Sequence, residues 1–90
     1  MSTKSIKISV YGRVQGVNYR YSAQNKAQSL GISGFAKNMP DGSVYMEAEG
    51  NEDALDAFIE WCGQGPLMAS VSKINTEQTS SFGHEGFRIR

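Results

Sequence analysis

Residues 12–20, with the sequence GRVQGVNYR, combine residue types that can hold an anion. Gly12 and Gly16 stand between a predicted strand and a predicted helix, so the main-chain N–H groups of residues 16–19 can point toward one spot near a helix N-terminus. Arg20 ends the stretch, and its planar guanidinium can bind two oxygens of one phosphate or carboxylate. The spacing matches neither Walker A nor GxGxxG. From these residues alone, a glycine turn followed by a solvated arginine remains an equal alternative.

Residues 34–50, with the sequence GFAKNMPDGSVYMEAEG, contain the second candidate, Asn38. The four residues after it predict a turn, because Pro40 fixes φ and Gly42 accepts a positive φ. Asp41 belongs to this turn and is assigned a structural role. Asn38 alone is typical of a hairpin residue that hydrogen-bonds its own backbone. Only its pairing with Arg20 makes it a site candidate.

The elements that must position these residues follow from the spacing of apolar side chains. Ile6, Ile8 and Val10 alternate with polar residues, as in a half-buried strand, and Gly31 suits a helix C-cap. The predicted elements are a strand over residues 5–11, a helix over 20–30, strands over 32–38 and from 44, a helix from Asn51 to about 62, a strand over 69–76 and a short strand near 87–89. The order βαββαβ, with that extra strand, predicts an α+β ferredoxin-like sandwich with two helices on one face of an antiparallel sheet. We expect residues 1–90 to form a single domain.

Composition and charge argue against several function classes. Nine Lys and Arg residues balance nine Asp and Glu residues, giving zero formal net charge, so we expect no nucleic-acid partner. No apolar run reaches the roughly 20 residues of a membrane-spanning helix, so we expect no membrane partner. Cys62 is the only cysteine, which excludes an intrachain disulfide and suits a reducing compartment. We therefore expect a cytoplasmic protein, acting as a monomer.

The sequence predicts neither a metal site nor a cofactor. The acidic residues between positions 47 and 53 lack a ligand partner, and the last two suit the first turn of a helix capped by Asn51. Cys62 shares an apolar helical stripe with Phe58 and is predicted to be a core residue rather than a nucleophile. His84, the only histidine, lies far in sequence from both candidate stretches.

Taken together, the two stretches resemble the paired signature of the acylphosphatases, with matching element order along nearly the whole chain. In the first stretch Gly12, Val14, Gln15, Gly16, Val17 and Arg20 fit the pattern, and Tyr19 is one of two aromatic residues accepted at its position. Asn18 stands where other members often carry an aromatic residue. In the second stretch Gly34, Asn38, Gly42, Val44 and Gly50 fit. Two long motifs in the right order make a chance match very rare.

The resemblance implies hydrolysis of acyl phosphates, which are carboxyl-phosphate anhydrides, to a carboxylate and inorganic phosphate, with no metal, no cofactor and no covalent intermediate. It assigns phosphate binding to the main-chain amides of Gln15, Gly16, Val17, Asn18, Tyr19 and Arg20 and to the Arg20 guanidinium. It also makes Asn38 the residue that positions the attacking water. Arg20 and Asn38 are therefore the expected catalytic residues, and the expected partner is a small acyl phosphate.

Two other functions remain open from the sequence. A non-catalytic phosphate sensor needs the same loop and arginine, but it does not require an asparagine at position 38. A single-stranded RNA binder is compatible with the predicted fold. However, the zero net charge and the lack of an aromatic RNA-binding strand motif argue against it.

Overall fold

The computed structural model describes residues 3–80 and 82–90, and the predicted order of strands and helices is confirmed. The elements are β1 (Thr3–Arg13), α1 (Tyr19–Ser29), β2 (Ser33–Asn38), β3 (Val44–Asn51), α2 (Glu52–Gln64), β4 (Ser70–Thr79) and β5 (Phe87–Ile89). The second helix begins where predicted, because the Asn51 side chain accepts a hydrogen bond of 2.9 Å from the Asp53 amide. In these two described ranges, no helix is long and apolar enough to cross a membrane.

All five strands form one sheet, in the order β4-β1-β3-β2-β5. The first four pair antiparallel, as predicted, but β5 runs parallel to β2, so the sheet is mixed rather than wholly antiparallel. The reason is that β4 ends at Thr79, at the end of the sheet where β2 begins at Ser33, and that β5 lies at the opposite edge. After β4 the chain crosses the sheet, and it then enters β5 in the same direction as β2.

The core lies between one face of the sheet and the two helices, which confirms the predicted sandwich. Ile8 and Val10 point from β1 to this face, and both are fully buried. Helix α1 contributes small residues such as Ala23, whereas α2 contributes Phe58 and Cys62. The apolar stripes seen in the sequence are therefore the buried faces of these elements.

Gly12 lies inside β1 and not in the loop after it, because β1 continues two residues past its predicted end. At Gly12 the pairing of β1 with β4 shifts register, and a Cβ on Gly12 would collide with the main-chain oxygen of Ser70. Its φ of 121° also disfavours any other residue. Gly12 thus lets two strands approach closely, and it is not part of an anion-binding loop.

The opposite face of the sheet carries a buried carboxylate that holds the segment leading into β5. Glu49 is 7% exposed and accepts hydrogen bonds from the Ser5 hydroxyl (2.7 Å) and the main-chain amides of Phe82, Gly83 and His84. Burial alone would raise the pKa of Glu49, but these hydrogen bonds outweigh it and lower the pKa to about 2. The carboxylate therefore anchors this segment to β3.

Candidate active site

A cavity of about 270 Å³ opens at the N-terminus of α1, beside the end of β2. It is lined by Val14, Gly16, Asn18, Tyr19, Arg20, Tyr21, Asn38 and Ile89. Arg20 and Asn38, which are 18 positions apart in the sequence, therefore line the same cavity. Their proximity is the spatial link that the sequence could not show.

The loop between β1 and α1 presents a run of main-chain N–H groups that lack a well-placed acceptor among residues 3–80 and 82–90. Val14 donates to the Gly12 carbonyl and Ser22 donates to the Asn18 carbonyl, as the first bond of the helix. Between them, the amides of residues 15–20 make no well-aligned hydrogen bond to residues 3–80 or 82–90. Such a run at a helix N-terminus, where the helix dipole is positive, is the usual form of an anion-binding nest.

Asn18 gives this loop its shape through its backbone. It has φ 67° and ψ 25°, a left-handed conformation, and it is the only residue other than glycine with positive φ in the described part of the chain. Gly16 also has a positive φ, 74°. Asparagine adopts this conformation more readily than most residues, which accounts for its presence at the helix N-cap although its side chain makes no capping bond there. The sequence predicts only a main-chain contact of Asn18 with phosphate, and the backbone conformation explains why an asparagine suits this position.

Arg20 lies in the first turn of α1, and the residue that follows β5 holds its guanidinium. Its Nη1 donates a hydrogen bond of 2.7 Å to the main-chain oxygen of Arg90. Within residues 3–80 and 82–90 this is the one hydrogen bond of the Arg20 side chain to protein, so its other N–H groups remain available to a ligand. An arginine held in this way can offer a fork of donors to two phosphate oxygens.

Three residues of the predicted phosphate-binding loop use their side chains for contacts with other parts of the protein. The Gln15 amide donates to main-chain carbonyls of the β2–β3 turn, and Val17 packs against the core. Tyr19 is 1% exposed, and its hydroxyl donates a 2.7 Å hydrogen bond to the Cys62 carbonyl. For these three residues, only the main-chain N–H group is available to contact an anion.

Asn38 is the last residue of β2 and is exposed to solvent. Its side-chain amide makes no hydrogen bond with residues 3–80 or 82–90, so it is free to bind water. The turn after it is stabilised locally, as predicted: Asp41 accepts hydrogen bonds from the Ser43 amide (2.9 Å) and hydroxyl (2.6 Å). These bonds also lower the pKa of Asp41. Asn38, and not Asp41, is the residue of this hairpin that lines the cavity.

Other reactive side chains have structural surroundings. Burial raises the pKa of the Cys62 thiol to about 12, so it is not a thiolate at neutral pH. The His84 ring lies 2.9 Å from a Glu47 carboxylate oxygen and does not line the cavity. Over the described ranges, no three His, Cys, Asp or Glu residues are grouped so that they could hold a metal ion.

Comparison with known proteins decides the family. The acylphosphatase family model matches residues 6–89. The chain belongs to the acylphosphatase family. It is 45% identical to an acylphosphatase of Thermotoga petrophila over 97% of each chain. The structure of the Coxiella burnetii acylphosphatase matches with a TM-score of 0.95 and 36% identity, covering 98% of this chain and 93% of that one. The structure of the Bacillus subtilis acylphosphatase matches with a TM-score of 0.93 and 39% identity, covering 97% of this chain and 98% of that one.

Membership of the acylphosphatase family agrees with the resemblance seen in the two sequence stretches. Acylphosphatases are hydrolases that act on acid anhydrides, and the reaction of this chain is the hydrolysis of an acyl phosphate, which releases phosphate. The ferredoxin-like fold is likewise that of the two acylphosphatase structures.

Proposed function

We propose that this acylphosphatase works without a metal, by holding the phosphoryl group of the substrate between the amides of residues 15–20 and the Arg20 guanidinium while Asn38 orients the attacking water. The observation that carries this proposal is that Arg20 and Asn38 line the same cavity, together with three other residues of the 15–20 amide run. Arg20 has N–H groups that are available to a ligand. A cation and several N–H dipoles together supply the positive potential that a metal would otherwise provide.

The chemistry needs little more than positioning and charge stabilisation. Water attacks phosphorus, the bond from phosphorus to the acyl oxygen breaks, and the products are a carboxylate and inorganic phosphate. The carboxylate is a stable leaving group, so no strong general acid is required. Asn38 is neutral and cannot remove a proton, so its side chain orients the water and a phosphoryl oxygen of the substrate accepts the proton.

The test is hydrolysis of benzoyl phosphate by the purified protein in the presence of excess EDTA. We expect turnover that the chelator does not change, since the proposed donors all belong to the chain. The variant Arg20→Lys, purified in parallel, excludes a contaminating phosphatase, because a contaminant would give both preparations the same rate. Activity that disappears with EDTA and returns with a divalent cation would contradict the proposal.

We further propose that residues 1–90 act as a single domain, as a cytoplasmic monomer with no nucleic-acid partner. The balanced charge, the single buried cysteine and a candidate site built within one chain support this. Size-exclusion chromatography with light scattering should give the 9.8 kDa mass of one chain. Activity that falls on dilution would instead indicate a larger assembly.

A further inference from the structure

The Gln15 side chain connects the two halves of the candidate site. Its Nε2 donates hydrogen bonds to the main-chain carbonyls of Met39 (2.8 Å) and Ser43 (2.9 Å). Both acceptors are carbonyl oxygens, which fixes the orientation of the amide, because the reversed amide would place its own oxygen against both of them. Both N–H groups of Gln15 are thus used, and neither is directed at a bound anion.

The two acceptors flank the turn that follows Asn38. The Met39 amide donates a 2.8 Å hydrogen bond to the Ser43 carbonyl, and the Gly42 amide donates one of 3.1 Å to the Met39 carbonyl. Gln15 adds a second donor to each of these carbonyls. It therefore holds together the two ends of the turn, directly after Asn38, the last residue of β2.

This contact is the only hydrogen-bonded link between the loop of residues 14–18 and the hairpin of residues 38–44 in the parts of the chain that the structure describes. The loop carries the unpaired amides and precedes Arg20, and the hairpin carries Asn38. If Asn38 orients the water as proposed, this link and the pairing of Asn38 with Val44 together set the distance between the phosphoryl group and the water. A displacement of about 1 Å between reacting groups can cost about 100-fold in rate.

We propose that Gln15 is a positioning residue that places Asn38 relative to the phosphate-binding loop, and that it controls turnover rather than phosphate affinity. The inference rests on the proposed function, because it presumes that Asn38 orients the water. It also separates two roles within one motif: the main-chain amide of Gln15 belongs to the anion-binding run, whereas its side chain acts on the other half of the site.

The test compares Gln15→Met with Gln24→Met. Methionine has nearly the shape of glutamine but donates no hydrogen bond. Gln24 is a matched control, because its Nε2 donates a 2.9 Å hydrogen bond to the Phe87 carbonyl and its side chain does not line the cavity. For Gln15→Met we expect kcat for benzoyl phosphate to fall about 10-fold or more. We expect the inhibition constant of inorganic phosphate to change less than about threefold, and Gln24→Met to leave both values within about twofold.

A double-mutant cycle with Asn38→Ala shows whether Gln15 acts through Asn38. In the Asn38→Ala background, Gln15→Met should cause little further loss of kcat, because the group that it positions is already absent. If Gln15→Met does not fold, Gln15→Asn gives the same comparison, since its amide is one methylene too short to reach the turn.

Three results would overturn the inference. They are an unchanged kcat in Gln15→Met, a parallel loss of kcat and phosphate affinity, and fully additive losses in the double mutant. No turnover by the unmutated protein would overturn the proposed function and this inference with it. An active wild type with an unaffected Gln15→Met would overturn the inference alone.

Discussion

The guanidinium of Arg20 is held by the main chain of Arg90, 70 residues further along the chain, through a hydrogen bond of 2.7 Å. Arg90 is itself fixed, because its amide donates a 2.9 Å hydrogen bond to the Ala36 carbonyl and its guanidinium lies 4.1 Å from the centroid of the Phe35 ring. Strand β2, which ends in Asn38, thus also supports the residue that orients Arg20. Both proposed catalytic side chains depend on the position of the same strand.

Replacing Arg20 by lysine should reduce kcat/KM for benzoyl phosphate by about 100-fold or more, because an ammonium cannot form two parallel hydrogen bonds to phosphate oxygens while also reaching Arg90. Inhibition by inorganic phosphate should weaken in parallel. Arg88→Lys is the control, since Arg88 is exposed on β5 and does not line the cavity. Equal activity of the two variants would show that Arg20 does not hold the phosphoryl group.

Replacing Asn38 by alanine should lower kcat by about 100-fold or more, as expected on removing a positioning group at a reacting centre. Phosphate inhibition should stay within about threefold, because the loop amides and Arg20 remain. Asn75→Ala, at an exposed position of β4, provides the control for the loss of an asparagine. If phosphate affinity falls together with kcat, Asn38 binds the phosphate and does not orient water.

Replacing Asn18 by alanine should lower the free energy of unfolding by about 1 kcal/mol, because alanine is strained in the left-handed conformation. Asn18→Gly should stay close to the wild-type value. Urea unfolding of both variants measures the difference. Asn25→Ala, at an exposed position within α1, should instead raise stability slightly, since alanine is the better helix former. Equal stability of Asn18→Ala and Asn18→Gly would contradict this account of the loop.

Replacing Glu49 by glutamine should destabilise the protein by about 2 kcal/mol at pH 7, because buried amides lose a charged acceptor. The pKa of Glu49 is about 2 in the folded state against an ordinary 4.5, so the carboxylate stabilises the fold above pH 4.5 and this contribution is lost as pH falls toward 2. The difference in unfolding free energy between wild type and Glu49→Gln should therefore narrow over that range. Glu60→Gln, on the exposed side of α2, is the control and should show no such pH dependence. The role given to Glu49 would be refuted if the Glu49→Gln difference in unfolding free energy stayed constant from pH 7 to pH 2. It would also be refuted if Glu60→Gln showed the same narrowing.

The order of the elements could be predicted because each helix and strand depends on a pattern of residues that are close together in the sequence. Alternation marks β1, and the Asn51 cap marks the start of α2. The direction of β5 could not be predicted, since three residues carry no signal for parallel or antiparallel pairing. It follows from the pairing of distant strands, which brings the end of β4 to the end of the sheet where β2 begins.

The same distinction applies to the site. The main-chain loop and Arg20 were visible as a motif, but the side-chain partners of Gln15 lie 24 and 28 residues away and the partner of Arg20 lies 70 residues away. Contacts between residues so far apart in the chain cannot be predicted from the spacing of residues within a motif. The one hint in the sequence was the residue type of Gln15. Its side chain has two N–H donors that the turn of its own loop does not require.

If Arg20 holds the phosphoryl group as proposed, its contact with residue 90 also bears on when activity can appear during synthesis. Residues 12–38 leave the ribosome early and include both Arg20 and Asn38, whereas the partner of Arg20 follows β5, at the edge of the sheet opposite β4. Contacts between distant parts of the chain form late, because closing a long loop costs entropy before the contact forms. We therefore expect a nascent chain that already carries Arg20 and Asn38 to remain without the contact that orients Arg20 until residue 90 is in place.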